Sequence, residues 1–208
     1  MGFLKENDFV LFQGDSVTDC GRRNEATKPM GKGYAAMLAA WLGAKYPRLN
    51  LRFENRGIGG NRVSDLLARW EEDCVALKPS VVSILIGIND TWRAFDRATP
   101  RTTEEFEDLY RRLLTLTREK ATHRIILMEP FVLPDPPDRA GWRGDLDPKI
   151  HVARKLAREF EAVFVPLDGA FARASTIRPC AEWLGDGVHP TPMGHALIAQ
   201  EWMRTLGL

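Results

Sequence analysis

Cysteine is scarce in this chain of 208 residues: Cys20, Cys74 and Cys180 are an odd number at unrelated spacings. That argues against a disulfide framework and suits free thiols in a reducing compartment, so a cytoplasmic protein is expected. An excess of one charge is also missing. Lysine and arginine number 29, aspartate and glutamate 28, for a net charge of +1. Nothing in that balance calls for nucleic acid or an anionic membrane. No apolar run approaches the roughly 18 residues of a membrane span. The start, MGFLKENDFVLF, lacks the basic segment, apolar stretch and cleavage site of a signal peptide. Internal repeats and low-complexity segments are absent. The rest is ordinary for a globular protein: 44% apolar and 27% charged residues, with length for one domain over residues 1–208 and a sizeable core.

Apolar runs alternate with helical patterns. Strands are expected at Phe9–Gln13, Leu51–Asn55, Val81–Ile86, Arg124–Met128 and Ala162–Pro166. The run VVSILI is nearly all apolar, as a central strand buried on both faces would be. Asn61 is placed to cap a helix carrying Val63, Leu66, Leu67, Trp70, Cys74 and Leu77 at helical spacing. Thr102 and Glu105 form a capping-box pattern before Phe106, Leu109, Tyr110 and Leu113. Asp147-Pro148 and Thr191-Pro192 read as caps followed by first-turn prolines. Strands alternating with helices imply a parallel sheet covered on both faces. The stretch Phe131–Asp147 is expected to be irregular, and a lid, a binding loop and a plain surface excursion all remain open for it.

Ligands of open parallel sheets bind outside the carboxyl ends of the strands. The first strand there runs into Gly14-Asp15-Ser16. The second runs into Asn55-Arg56-Gly57-Ile58-Gly59-Gly60-Asn61, and the third into Gly87-Ile88-Asn89-Asp90. After the fifth the chain reaches Asp186-Gly187-Val188-His189. Together these supply what acyl transfer needs. Ser16 is the candidate nucleophile, His189 its base, and Asp186 the group that orients the ring. The Ser16 and Gly60 N–H groups and the Asn89 amide are candidate donors to an oxyanion. Each signal alone is weak, turn chemistry being its commoner meaning; their order after successive strands carries the argument. A metal site of Asp186, His189, His195 and Asp15 is the rival. The two histidines straddle a proline-led helix start, and no HExxH pattern or cysteine pair supports it. No metal or cofactor is therefore expected, and His195 is expected to pack or hydrogen-bond within the last helix.

Taken together, these blocks resemble the GDSL family of serine esterases, also called SGNH hydrolases. Gly14-Asp15-Ser16, Gly60, Asn89 and the pair Asp186 and His189 match the family's four blocks in order, with Val17 where Leu or Ile is usual. The resemblance implies a flavodoxin-like three-layer α/β/α sandwich with a five-stranded parallel sheet in the order 2-1-3-4-5. It implies the triad Ser16, His189 and Asp186, with Ser16, Gly60 and Asn89 forming the oxyanion hole. The runs GDSVTDCGR, NRGIGGNRVSDLLARWEEDC, GINDTWR and VHPTPMGH look like the carbohydrate acetylesterase branch, similar to the intracellular acetylxylan esterases of bacilli. That implies deacetylation of xylo-oligosaccharides and a homo-oligomer. Relatives with near-identical blocks act on lysophospholipids and acyl-thioesters, and a non-catalytic carbohydrate-binding protein is a further alternative. Trp92, Arg93 and Arg62 are candidate substrate contacts; Trp92 either stacks on a sugar or packs under its loop. Trp142 and Trp183 are weaker candidates. Asp15 is kept near the substrate, with anchoring of the loops through backbone N–H groups as its expected role. Related enzymes carry a tryptophan close before the catalytic aspartate; here Trp183 precedes Asp186 by three residues.

Overall fold

The computed structural model describes residues 2–208. Five strands form one parallel sheet: β1 (Phe9–Gly14), β2 (Arg52–Asn55), β3 (Val81–Leu85), β4 (Ile125–Met128) and β5 (Val163–Val165), in the order β2-β1-β3-β4-β5. All five lie where the apolar runs place them. Among the described residues, six helices connect the strands, α1 (Ser16–Asp19), α2 (Tyr34–Lys45), α3 (Val63–Ala68), α4 (Ile88–Asp96), α5 (Thr103–Lys120) and α6 (Arg143–Glu159), and three follow β5, α7 (Leu167–Ser175), α8 (Cys180–Trp183) and α9 (Pro192–Leu206).

Successive strand residues point to opposite faces of the sheet, so each strand feeds two cores. Val10, Phe12, Ile126 and Met128 pack on one face with α2, α7 and α9, through Leu38, Phe171 and Trp202 among others. Phe9, Leu11, Val82, Ile84 and Leu127 pack on the other with α3, α5 and α6, through Leu66, Tyr110 and Leu156. This is a three-layer α/β/α sandwich. A third, smaller cluster of Ile88, Val132, Trp142, Leu146, Ile150 and Val188 closes around the loops that follow the strands.

Thr102 and Glu105 make the expected capping box on α5, and Thr191 caps α9 by accepting from the Gly194 N–H. Two helix starts depart from the sequence reading. The N-cap of α3 is Arg62, not Asn61, and a π-helical turn over Glu71–Val75 follows it. Asp147-Pro148 starts no helix: α6 begins at Arg143 and carries Pro148 inside it. Trp142, Leu146 and Ile150, four residues apart, form one continuous buried stripe, and burying it outweighs the hydrogen bond lost at the proline. Phe131–Asp147 is correspondingly less irregular than expected. A 3-10 turn at Pro137–Trp142 leads directly into α6.

The chain leaves β1 toward one edge of the sheet and returns to β3 on the other side of β1. The carboxyl ends of β1 and β3 thus flank the switch point where such sheets place their ligands.

Candidate active site

β1 ends at Gly14, and the chain turns at once into α1. A Cβ at Gly14 would overlap Thr18 Oγ1 and the Leu85 carbonyl, so only glycine lets the turn lie this close to β3. Asp15 caps α1, its Oδ1 accepting from the Val17 N–H at 3.0 Å. That leaves Ser16 as the first residue of the helix. Its Oγ lies 2.9 Å from His189 Nε2.

His189 lies in the loop before α9, pinned by an antiparallel bridge between Leu184 and Pro190. Asp186 folds back on the turn. Its Oδ1 accepts from the Val188 N–H at 3.0 Å and the His189 N–H at 2.7 Å, and its Oδ2 lies 2.7 Å from His189 Nδ1. Burial alone would raise the carboxyl's pKa. The hydrogen bonds from His189 and Val188 outweigh it and hold Asp186 below the usual carboxylate range. An ionised Asp186 only accepts, so Nδ1 carries the ring proton and Nε2 presents its lone pair to Ser16.

The loop after β2 meets this pair from the other side. Gly60 takes φ +82°, a left-handed conformation that glycine tolerates. A Cβ on Gly59 would lie 3.7 Å from Ser16 Cβ. Asn89, buried at the start of α4, donates from Nδ2 to the Asn61 carbonyl at 3.1 Å, which leaves its second N–H for another acceptor. The structure therefore brings Ser16, His189 and Asp186 into one hydrogen-bonded series, with the Gly59-Gly60 loop beside it and Asn89 tied to that loop.

Several residues that hold this arrangement escape sequence reasoning. Asp19 accepts from the Gly59 N–H at 3.1 Å, tying the glycine loop to α1. Asn55 bonds the Thr18 and Met30 carbonyls and the Gly57 N–H. Arg69 donates to Asn61 Oδ1 and to Asp73. Asp90 accepts from the Val63 N–H and lies 3.1 Å from Arg101. Arg139 donates to the Asp186 carbonyl and lies over the rings of Trp92 and Trp142. Leu133 N–H donates to the Gly187 carbonyl. The Phe131–Asp147 stretch thus buttresses the histidine loop.

The tryptophans divide. Trp92 packs 5.6 Å from the His189 ring and 5.1 Å from Trp142, half-buried at the edge of the site. Trp142 is buried behind it. Trp183 packs against the sheet core. Its carbonyl accepts from the Thr191 N–H at 3.0 Å. Arg93 pairs with Asp96, and a Cβ on Gly60 would lie 3.5 Å from its Nη2. Arg62 lines the same cleft as Gly60.

Asp15 is not placed as a substrate contact. It is buried, its Oδ2 has no partner among the described residues, and it lines an apolar cavity of about 10 Å³ with Leu85, Ile86 and Phe131. Burial pushes its carboxyl up to about 7. His195 is buried as expected, but it bonds outside its own helix. Its Nδ1 accepts from the Tyr34 N–H, its Nε2 lies 3.3 Å from Cys20 Sγ, and burial pushes its pKa down to about 4. No cluster of three metal-ligating side chains occurs among the described residues, so the grouping of Asp15, Asp186, His189 and His195 does not form.

The two buried groups act on stability in opposite senses. Asp15 binds its proton up to about pH 7 when folded, against 3.8 as an ordinary carboxyl. The stability this contributes is full below pH 3.8 and is lost as pH rises toward 7. His195 is depressed from 6.5 to about 4, so its contribution grows with pH between those values. The informative quantity is therefore the difference in unfolding free energy between the wild type and Asp15→Asn. Denaturant titrations from pH 4 to pH 7 should show it falling by on the order of 1.4 kcal/mol per pH unit. A flat difference would mean that Asp15 is ionised in the fold.

A serine, an imidazole and a carboxylate in hydrogen-bonded series at the carboxyl end of a parallel sheet define a hydrolase of the serine type. The chain belongs to the GDSL-like lipase/acylhydrolase family, whose sequence model matches residues 12–197. It is 39% identical over 207 residues to an acetylxylan esterase of Geobacillus stearothermophilus, covering 95% of this chain and 93% of that one. The crystal structure of the acetylxylan esterase Axe2 from that organism superimposes with a TM-score of 0.88 at 36% identity, over 99% of this chain and 96% of the other. A GDSL-like lipase candidate from Parabacteroides merdae superimposes with a TM-score of 0.93 at 40% identity, over 98% and 97% of the two chains. Axe2 variants with alanine for one serine, one histidine or one aspartate are described as catalytic mutants. The protein is a carboxylic ester hydrolase. Among the described residues, no helix is long and apolar enough to cross a membrane.

Proposed function

We propose that this esterase removes acetyl groups from acetylated carbohydrates, xylo-oligosaccharides foremost, through an acetyl-enzyme on Ser16. His189 takes the Ser16 proton as Oγ attacks the ester carbonyl. The oxyanion forms against the Ser16 and Gly60 N–H groups and the free N–H of Asn89. His189, held as imidazolium by Asp186, then protonates the departing sugar oxygen. Water activated by the same ring releases acetate.

The observation that carries this reading is the Ser16–His189–Asp186 series, with contacts of 2.9 and 2.7 Å, opening onto polar surroundings. The cleft that Ser16 lines is walled by Asp19, Arg23 and Asn24, and the one beyond Gly60 by charged side chains. The apolar void behind Asp15 holds about one water, so no groove for a long acyl chain lies there. That favours a short acyl group over lysophospholipid or acyl-thioester substrates. Trp92 offers the edge of the site a ring for a sugar face.

The test is the ratio of kcat/KM for acetyl over octanoyl p-nitrophenyl esters. A ratio well above one supports the acetyl reading. A ratio below one would transfer the enzyme to the lipolytic members of its family. A second expected result concerns the oxyanion. Asn89→Ala should lower kcat by about 10²–10³, the usual cost of one donor, with KM little changed. An unchanged kcat would take Asn89 out of that role.

A further inference from the structure

Beyond Gly60 runs a cleft of about 520 Å³ whose charge the reaction does not use. Gly59 and Gly60 form its inner wall. Arg62, Arg93 and Arg97 line it further out, with Asp65 among them. One of its lining residues borders the nucleophile, since a Cβ on Gly59 would lie 3.7 Å from Ser16 Cβ.

The three guanidinium groups are unequally occupied. Arg93 is hydrogen-bonded to Asp96. Arg97 lies 4.0 Å from that same carboxylate, beyond hydrogen-bond reach. Arg62 lies 4.0 Å from Asp65 Oδ2, an oxygen that already accepts from the Arg62 main-chain N–H at 2.7 Å. Neither Arg62 nor Arg97 therefore has a side-chain hydrogen-bond partner among the described residues. A neutral sugar makes poor use of two planar cations that are only loosely paired, each 4.0 Å from its carboxylate. A carboxylate matches the guanidinium fork in shape and charge.

We propose that this cleft binds a carboxylate of the substrate, so that among acetylated carbohydrates, xylo-oligosaccharides included, the enzyme prefers those in which a uronate carboxylate lies near the acetyl ester. The proposal rests on the acetyl-ester reading, because an acetyl group has no charge of its own and the carboxylate must belong to the sugar. Asp65 lines the same cleft and Asp96 lies against Arg93 and Arg97; both lower the net attraction, but both are engaged, one by a main-chain N–H and the other by Arg93.

The test uses a matched pair, acetylated methyl glucuronoside and acetylated methyl glucoside, which differ only in carboxylate against hydroxymethyl at C6. At low salt the wild type should favour the uronate about tenfold in kcat/KM, the scale of one charge-assisted hydrogen bond. The preference should shrink at high salt and fall to near one in the Arg62→Gln/Arg97→Gln double variant. Equal rates on the pair, with p-nitrophenyl acetate still cleaved, would overturn the acidic-substrate proposal and leave the esterase standing. Preference for an acetylated sugar 6-phosphate over the uronate would overturn the carboxylate assignment. Failure to cleave p-nitrophenyl acetate would count against the acetyl reading alone. The cleft is then judged by calorimetry with unacetylated methyl glucuronoside. Binding tighter than the glucoside and weakened in the double variant supports it, and equal binding refutes it.

Discussion

Replacing Ser16 by alanine will lower kcat for acetyl esters by about 10⁴- to 10⁶-fold while the fold stands. The Oγ is the group that meets His189 Nε2, at 2.9 Å. Without it the imidazole has no proton to take, and no acyl-enzyme forms. What remains is the slow attack of water within the oxyanion donors. The structural cost is small because the bonds holding this turn are made by other groups. Asp15 caps α1 from its own side chain, and the Cys20 N–H bonds the Ser16 carbonyl, a main-chain group that alanine keeps. Only one partly exposed hydrogen bond is lost, worth about 1 kcal/mol. Circular dichroism spectra should overlay those of the wild type, and the thermal melt should shift by no more than about 2–4 °C. His189→Ala should lose a similar factor, and the double variant should lose little more than either single one, since the two groups act as a unit. A folded Ser16→Ala protein with wild-type turnover would remove Ser16 as the nucleophile.

The sequence exposes these two residues while hiding their supports, for a physical reason. Strand cores such as FVLF and VVSIL are runs whose burial on both faces needs no knowledge of neighbours, so the sheet can be read locally. Tyr34–Lys45 carries no such signal. YAAMLAAWLGAK is apolar and alanine-rich nearly all round, without the polar stripe that marks a helix lying on a sheet. Asp147-Pro148 looks like a helix start because a local rule meets no local contradiction. The stripe of Trp142, Leu146 and Ile150 that overrides it matters only once the third cluster exists. The site divides along the same line. Ser16, Gly60, Asn89, Asp186 and His189 show themselves by following successive strands. Asp19, Asn55, Arg69 and Arg139 act across spans of up to 55 residues, and nothing in their immediate sequence names the partner. The fate of Asp15 has the same origin, since its position beside Ser16 says nothing about which way the cap turns its carboxyl.

Asp186→Asn will cost about 10⁴ in kcat, a loss as large as that of many nucleophile changes, although Asp186 meets the imidazole at the nitrogen away from Ser16. The reason lies in the turn. One carboxylate oxygen accepts two main-chain N–H groups, from Val188 and His189, and the other faces His189 Nδ1. An asparagine there has one acceptor and one donor end. The two main-chain donors cannot move, so they claim the amide oxygen and aim the NH₂ at Nδ1. The imidazole must then accept at Nδ1 and carry its proton on Nε2, the atom that Ser16 needs as a base. Flipping the amide restores the tautomer only by setting its NH₂ against two N–H groups, which leaves partly buried donors unpaired at a cost of up to about 1 kcal/mol each. The structure thus expects a wrong tautomer in an undisturbed geometry. Nitrogen-15 spectra of the ring should show the proton moved from Nδ1 to Nε2, with KM nearly unchanged and kcat collapsed. A ring that keeps its proton on Nδ1 at near wild-type turnover would mean that something other than Asp186 orients His189. Arg139 holds the Asp186 carbonyl at 3.2 Å and lies over Trp92, which packs on the His189 ring, but it makes no hydrogen bond to the imidazole. Its loss should therefore blur the geometry without exchanging the tautomer, and the nitrogen-15 signature separates the two effects.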